Sequence, residues 1–128
     1  HFATYKGDGI VIATATGSTA YSLSLGGAIL SPSINNMIMK PIAAHTSLMG
    51  GLVIEKDVVI SLKASSNEDL SISVDGFIDN KIEDFDQIDV EIDNENKAFF
   101  LRSENFENLY WTSLAQKLDL RKGDSISG

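Results

Sequence analysis

Cysteine is absent from the 128 residues, which excludes disulfides, thiolate metal sites and a cysteine nucleophile. No stretch approaches the roughly 18 to 20 consecutive apolar residues that a membrane-spanning helix needs, so no membrane partner is expected. No signal peptide precedes the first strand-like residues, and together with the missing cysteines this fits a reducing cytoplasm. Basic residues are scarce: 10 Lys and Arg stand against 18 Asp and Glu, for a net charge of −8 and a pI near 4.5. A nucleic-acid binder needs a basic face, so that class is set aside. No internal repeat or low-complexity segment is present.

What is there reads as an ordinary globular chain. Hydrophobic residues make up 43%, charged residues 22%, and the mean hydropathy is +0.01, which leaves no room for bulk disorder. At 13.8 kDa the expectation is a single domain over residues 1–128. The chain opens on His1 and runs at once into the strand-like Phe2-Ala3-Thr4-Tyr5, so a piece of a longer polypeptide is expected.

Charge is distributed unevenly. Residues 1–54 hold one acid, Asp8, and two bases, Lys6 and Lys40, for a local +1; residues 55–128 hold 17 acids and 8 bases, for a local −9. An anionic ligand is repelled least by the first part. The later acids, among them Asp84, Asp86, Asp89, Glu91, Asp93 and Glu95, mostly alternate with apolar residues, as on the wet face of a strand.

The hydrophobic pattern predicts a mainly β fold. Ile10-Val11-Ile12-Ala13 reads as a strand buried on both faces. Strands are also expected at Met37–Met39, Leu52–Ile54, Val58–Leu62, Leu70–Val74, Ile88–Ile92 and Ala98–Leu101. Turn signals at Ser31-Pro32-Ser33, Ser66-Asn67, Asp75-Gly76 and Asp93-Asn94 separate several of them, and this spacing suggests a sandwich or barrel. A two-turn helix is expected at about Tyr21–Leu25, capped by Ser18 or Thr19 and stopped by Gly26-Gly27. Near the end, Phe106, Leu109, Tyr110, Leu114 and Leu118 recur at helical spacing, predicting an amphipathic helix capped by Ser103 and stopped near Leu118. Lys122–Gly128 reads as a frayed tail.

The chemistry is expected in the first segment. A buried strand there runs into Thr14-Ala15-Thr16-Gly17-Ser18-Thr19, an elbow rich in glycine and hydroxyls that opens the short helix. Unpaired amides of a helix's first turn point outward with the positive end of its dipole. Gly17 has no Cβ to hold a ligand away. The hydroxyls of Thr16, Ser18 and Thr19 both donate and accept, which suits ribose, phosphate or an adenine edge. Tyr21 offers an aromatic face. The elbow is neither a Walker A loop nor a GxGxxG fingerprint, and a purely structural capped turn reads equally well. Asp8 is either a turn aspartate or a carboxylate aimed at a ribose or amide. Lys6 shares its strand face, either as a surface ion pair or as a cation for a phosphate.

Gly7-Asp8-Gly9, Thr16-Gly17-Ser18-Thr19-Ala20-Tyr21-Ser22-Leu23-Ser24 and Gly26-Gly27-Ala28-Ile29-Leu30-Ser31-Pro32-Ser33 together resemble the C-terminal half of bacterial NAD kinases. The likeness continues through Pro41-Ile42-Ala43-Ala44-His45-Thr46-Ser47-Leu48, Leu52-Val53-Ile54, Val74-Asp75-Gly76 and the terminal helix around Tyr110-Trp111. The resemblance implies a β-sandwich-like C-terminal domain of an enzyme that phosphorylates the 2′-hydroxyl of the adenosine ribose of NAD. ATP or sometimes polyphosphate is the donor, with a divalent metal, expected to be magnesium. It further implies dimers or tetramers, in which one subunit helps to complete a neighbour's pocket. The family's Gly-Gly-Asp-Gly motif with the catalytic aspartate, and its NAD-binding Asn-Glu/Asp pair, belong to an N-terminal α/β domain that is expected to lie outside this chain, and no Gly-Gly-Asp-Gly occurs here. No catalytic residue and no metal ligand is therefore assigned to this chain, and alone it is expected to be inactive.

By position, the resemblance implies NAD contacts from Lys6, Asp8, Thr16, Thr19, Ala20, Tyr21, Ser22, Leu23 and Ser24, with Tyr21 beside the nicotinamide end. Asp75 and His45 match further family positions, although a hairpin turn explains Asp75 and a structural role explains His45 as well. Two departures stand out: Ala15 replaces a usual proline, and Phe77 replaces a frequent glutamine. Two other classes compete with this reading. A noncatalytic nucleotide-binding or assembly module, like the C-terminal domain of related lipid kinases, would lack the Thr16–Tyr21 run. A serine hydrolase would use Ser18 with His45 and Asp75 or Asp8, but no GxSxG elbow is present.

Overall fold

A computed structural model describes residues 1–45, 50–99 and 106–120. The fold is mainly β, as the hydrophobic pattern predicts. Seven strands are described: β1 (Gly9–Thr14), β2 (Met37–Ile42), β3 (Leu52–Ile54), β4 (Ile60–Lys63), β5 (Leu70–Val74), β6 (Ile78–Ile82) and β7 (Gln87–Val90). The chain divides into two compact units, residues 1–93 and 94–128. All the strands lie in the first.

Strands β1, β2 and β3 form an antiparallel sheet with β2 in the centre. Its register places Ile10, Ile12, Met37, Met39, Leu52 and Ile54 on one face, because side chains alternate along a strand. That face packs on Ile60, Leu62, Val90 and Ile92 from the β4–β7 pair and the residues that follow it. Two apolar sheet faces thus close a sandwich-like core. Pro41 sits in β2 opposite Ile10, two residues beyond Met39↔Leu52, the last β2–β3 register pair at that end. Asp8 donates to the Ile42 carbonyl, so Ile42 faces β1 and the proline nitrogen faces the side that β3 has vacated. No ladder hydrogen bond is lost there.

The second face of the sheet carries Val11, Ala13, Ile38 and Lys40. Ala13 and Ile38 pack with Ala15 and Leu30, which come from the segment joining β1 to β2. That segment contains a 3-10 turn, Gly17–Thr19, and a single helical turn α1, Tyr21–Ser24. The expected two-turn helix is therefore shorter. Its cap is Ala20, with no side-chain cap bond; Ser18 and Thr19 lie inside the 3-10 turn instead, because their hydroxyls bond back to the carbonyls of residues 15 and 16. β1 is half-buried rather than buried on both faces, being an edge of its sheet.

Beyond Lys63↔Gln87 the β4–β7 ladder loosens. Phe85 donates to the Ala64 carbonyl at 2.7 Å and Ser66 to the Asp84 carboxylate at 3.0 Å. The β5–β6 hairpin then continues outward in register from Leu70↔Ile82 to Val74↔Ile78. Its turn is the expected Asp75-Gly76, with φ of 51° and 74°, the left-handed pair that a tight hairpin asks for. Strand β6 is not legible as a strand, since Asp79-Asn80-Lys81 are poor strand formers; pairing with β5 supplies it. Val58 and Val59 precede β4, and Ala98 and Phe99 lie outside any strand.

In the second unit, α2 spans Phe106–Lys117. Tyr110, Leu114 and Leu118 are half-buried at helical spacing, whereas Leu109 is exposed. The helix closes as the pattern predicts. Asp119 takes a left-handed φ of 52°, its amide reaches Gln116, and Leu120 reaches Ala115 at 2.9 Å, the Schellman arrangement. The Ser103 cap, residues Thr46–Leu48 and the Lys122–Gly128 tail fall outside the described residues. No described helix is long and apolar enough to cross a membrane.

Candidate functional site

The elbow after β1 divides its side chains cleanly. Ala15, Ser18, Ser22 and Gly27 turn inward and are buried, while Thr16, Ala20, Tyr21 and Ser24 are exposed; Thr19 and Leu23 lie between. Tyr21 is 57% exposed, so its ring stands free of the core. Ser18 is fully buried and donates to the Ala15 carbonyl at 2.6 Å while accepting from the Leu30 amide at 3.0 Å. The serine-hydrolase alternative fails on this observation, because a nucleophile must reach solvent and Ser18 does not.

Five amides of the elbow are engaged within it. Gly17 donates to the Thr14 hydroxyl, Ser18 to Ala15, Ala20 to Gly17, and Leu23 and Ser24 both to Ala20. α1 is a helix of one turn, and the elbow offers a ligand the exposed side chains of Thr16, Tyr21 and Ser24. At Gly17 a Cβ would lie 3.3 Å from the Ala13 Cβ, a tight contact, so packing onto β1 also favours glycine there. Gly27 is tighter still: its Cβ would meet the Ser22 hydroxyl at 2.5 Å and the Ser22 carbonyl at 2.7 Å.

Lys6 and Asp8 lie just before the opposite end of β1, whose five steps from Gly9 to Thr14 span about 17 Å. Both precede β1, Asp8 in a bend with Gly7 and Lys6 just before it, so the expected shared strand face does not exist. Both are exposed, and the ion pair found among the described residues is Lys81–Asp69 instead. A Cβ on Gly7 would lie 2.6 Å from the Ile42 carbonyl and 3.0 Å from Ala44. Glycine therefore lets residues 6–8 lie directly against residues 42–44, beside the exposed His45. Asp8, Lys6 and the His45 stretch share one end of the sheet. The elbow begins at the other end and comes back over the second face, where α1 touches β1 and Ala28 donates to Gly50 at 3.3 Å.

Asp75 stands apart at the tip of the β5–β6 hairpin, beside the almost fully exposed Phe77. One residue escaped the sequence reading. Lys40 is buried on the same sheet face as the elbow, opposite Val11; the only available signal was its being one of two bases in the first 54 residues. Away from the elbow, burial raises the Tyr5 phenol above its usual range. Hydrogen bonds from Ser61 and then Gln87, with the Lys63 charge, hold the exposed Asp89 below the usual carboxylate range.

Comparison with known proteins follows the same lines. The family model for the ATP-NAD kinase C-terminal domain matches residues 1–102. An NAD kinase of Dehalococcoides mccartyi is 36% identical over 127 residues, covering 98% of this chain and 43% of that protein. One from Caldanaerobacter subterraneus is 40% identical over 116 residues, covering 89% and 41%. Among solved structures, yeast NADH kinase complexed with NADH superposes with a TM-score of 0.72 at 26% identity, over 97% of this chain and 38% of that one. An Archaeoglobus fulgidus NAD kinase in complex with ATP gives 0.69 at 26% identity, over 84% and 41%. The chain spans about two fifths of the length of the relatives it matches.

Proposed function

We propose that this chain, which belongs to the ATP-NAD kinase C-terminal domain family, forms the dinucleotide-holding face of an NAD kinase. In that enzyme a phosphoryl group passes from ATP to the 2′-hydroxyl of the adenosine ribose of NAD, giving NADP. The observation that carries the reading is the outward display of Thr16, Ala20, Tyr21 and Ser24 on a braced elbow, with Asp8 and Lys6 at the far end of the same strand. An extended ligand with two sugars, two phosphates and two planar rings suits polar groups set that far apart.

Each side chain has a role its chemistry allows. Tyr21 provides a face for a planar ring. Thr16 and Thr19 offer hydroxyls to ribose or amide; Thr19 donates to the Thr16 carbonyl at 3.1 Å, so its oxygen remains an acceptor. Asp8 accepts from ligand hydroxyls, and Lys6 balances phosphate charge. Ser22 is buried and acts through the shape of α1, as does Leu23 in part. His45 and Asp75 are secondary candidates, placed where a ligand spanning from the sheet end or reaching the hairpin tip would meet them.

Phosphoryl transfer itself requires the donor, acceptor and a divalent cation to be held in line. Among the described residues no three histidine, cysteine or acidic side chains gather at one point, and no metal step is routed through them. On this reading residues 1–128 are the C-terminal domain, the catalytic base and metal site lie in an N-terminal α/β partner, and the enzyme works in the cytoplasm as a dimer or tetramer. The test is steady-state kinetics of the full enzyme. Asp8→Ala and Tyr21→Ala are each expected to raise KM for NAD about five- to ten-fold, as loss of one ligand contact of about 1 kcal/mol implies. Unchanged NAD affinity in both variants contradicts the reading.

A further inference from the structure

We infer that Ser18 is the positioning residue of the elbow, a buried pin whose hydroxyl fixes the presentation of Thr16, Thr19 and Tyr21 without touching the ligand. The inference rests on the reading that the elbow's outer face holds the dinucleotide.

Three observations support it. The Ser18 hydroxyl closes two bonds at once, donating to Ala15 at the start of the elbow and accepting from Leu30, twelve residues further along the chain. It thus ties the segment's entry to its exit, with the 3-10 turn and α1 held between. Ser18 is fully buried, and the two residues it joins belong to the apolar cluster with Ile38 on the second face of the sheet. The pin is therefore anchored to β2 as well as to β1. Finally, the groups proposed to meet the ligand flank it directly: Thr16 precedes it by two residues, Thr19 follows it, and Tyr21 opens the next turn.

A hydroxyl has one proton and two lone pairs, so serine is one of the few small side chains able to serve both partners. Alanine leaves the Leu30 amide without its acceptor in a buried place, where an orphaned donor is costly. The Ala15 carbonyl keeps the Ser18 amide, at 3.3 Å. The damage consequently concentrates on the exit strap, and the elbow relaxes toward solvent with its outer side chains displaced. This separates Ser18 from Thr16 and Thr19, whose exposed hydroxyls a ligand reaches directly.

The experiment compares Ser18→Ala with Ile60→Val in the full enzyme. Ile60 belongs to the other apolar cluster, so its variant lowers stability without touching the elbow. Ser18→Ala is expected to raise KM for NAD about ten-fold, the equivalent of one lost buried hydrogen bond, with KM for ATP and kcat within about two-fold. The Leu30 amide should exchange faster in Ser18→Ala and not in Ile60→Val. If Ser18→Ala does not fold, Ser18→Cys, similar in size with a weaker donor and acceptor, is expected to show a smaller rise of the same kind. An NAD KM within two-fold of the parent overturns the pin, as does a rise matched by Ile60→Val or by the ATP KM. If Asp8→Ala and Tyr21→Ala raise KM while Ser18→Ala does not, the pin alone is wrong. If none of the three does, the dinucleotide reading fails with it.

Discussion

Ser18, Ser22 and Gly27 form the inside of the elbow, and Thr16, Ala20 and Tyr21 its outside; residues a few positions apart in one run do opposite jobs. The sequence shows the run but not this division, because serine and threonine have the same hydrogen-bonding inventory and only burial assigns their partners. The glycines separate in the same way. Gly27→Ala forces a Cβ within 2.7 Å of backbone oxygen and is expected to destabilise the protein by about 1 to 3 kcal/mol, as overpacking does. At Gly50 nothing lies within 4 Å of the Cβ position, and Gly50→Ala should be within about 0.5 kcal/mol of the parent. Urea denaturation midpoints at constant slope check both. Equal effects at the two positions contradict the close packing of α1 on the strap that follows it.

At the scale of elements, the legible parts were those with a strong local pattern. Strand β1, the core of β2, β3, β5 and the Asp75-Gly76 turn all follow from short apolar runs and turn chemistry. The rest depended on partners. Strand β6 is polar through Asp79-Asn80-Lys81 and exists because β5 pairs with it; α1 shrank to one turn because the Ser18 and Thr19 hydroxyls bond back to carbonyls rather than forward to helix amides. In the β4–β7 pair, Ser61 stands opposite Asp89, and that cross-strand bond is the main cause of the lowered Asp89 pKa. A depressed folded-state pKa adds stability that is present above the ordinary carboxylate range and lost as pH falls through the folded value. Because Asp89 is exposed, the gain is small. Carboxyl carbon shifts followed by NMR below about pH 5 should show Asp89 titrating below the ordinary carboxylate range, and Ser61→Ala should move it back up. An Asp89 midpoint that ignores Ser61→Ala contradicts the pairing.

Across the whole molecule, charge and architecture both favour the face proposed for a dinucleotide. The first 54 residues carry a local +1 and the rest −9, and the elbow lies in the first part on a sheet face of its own, while the opposite face builds the core with β4 and β7. The ligand-facing surface is thus free of any duty in closing that core. The central claim is that NAD lies along this surface, from Asp8 to Tyr21. The most direct measurement is an NAD titration of the full chain followed by backbone amide shifts. The account predicts perturbations concentrated at residues 6–8 and 16–24, with those at the β5–β6 hairpin smaller. Shifts confined to residues 70–82, or none at the elbow at saturating NAD, would contradict it.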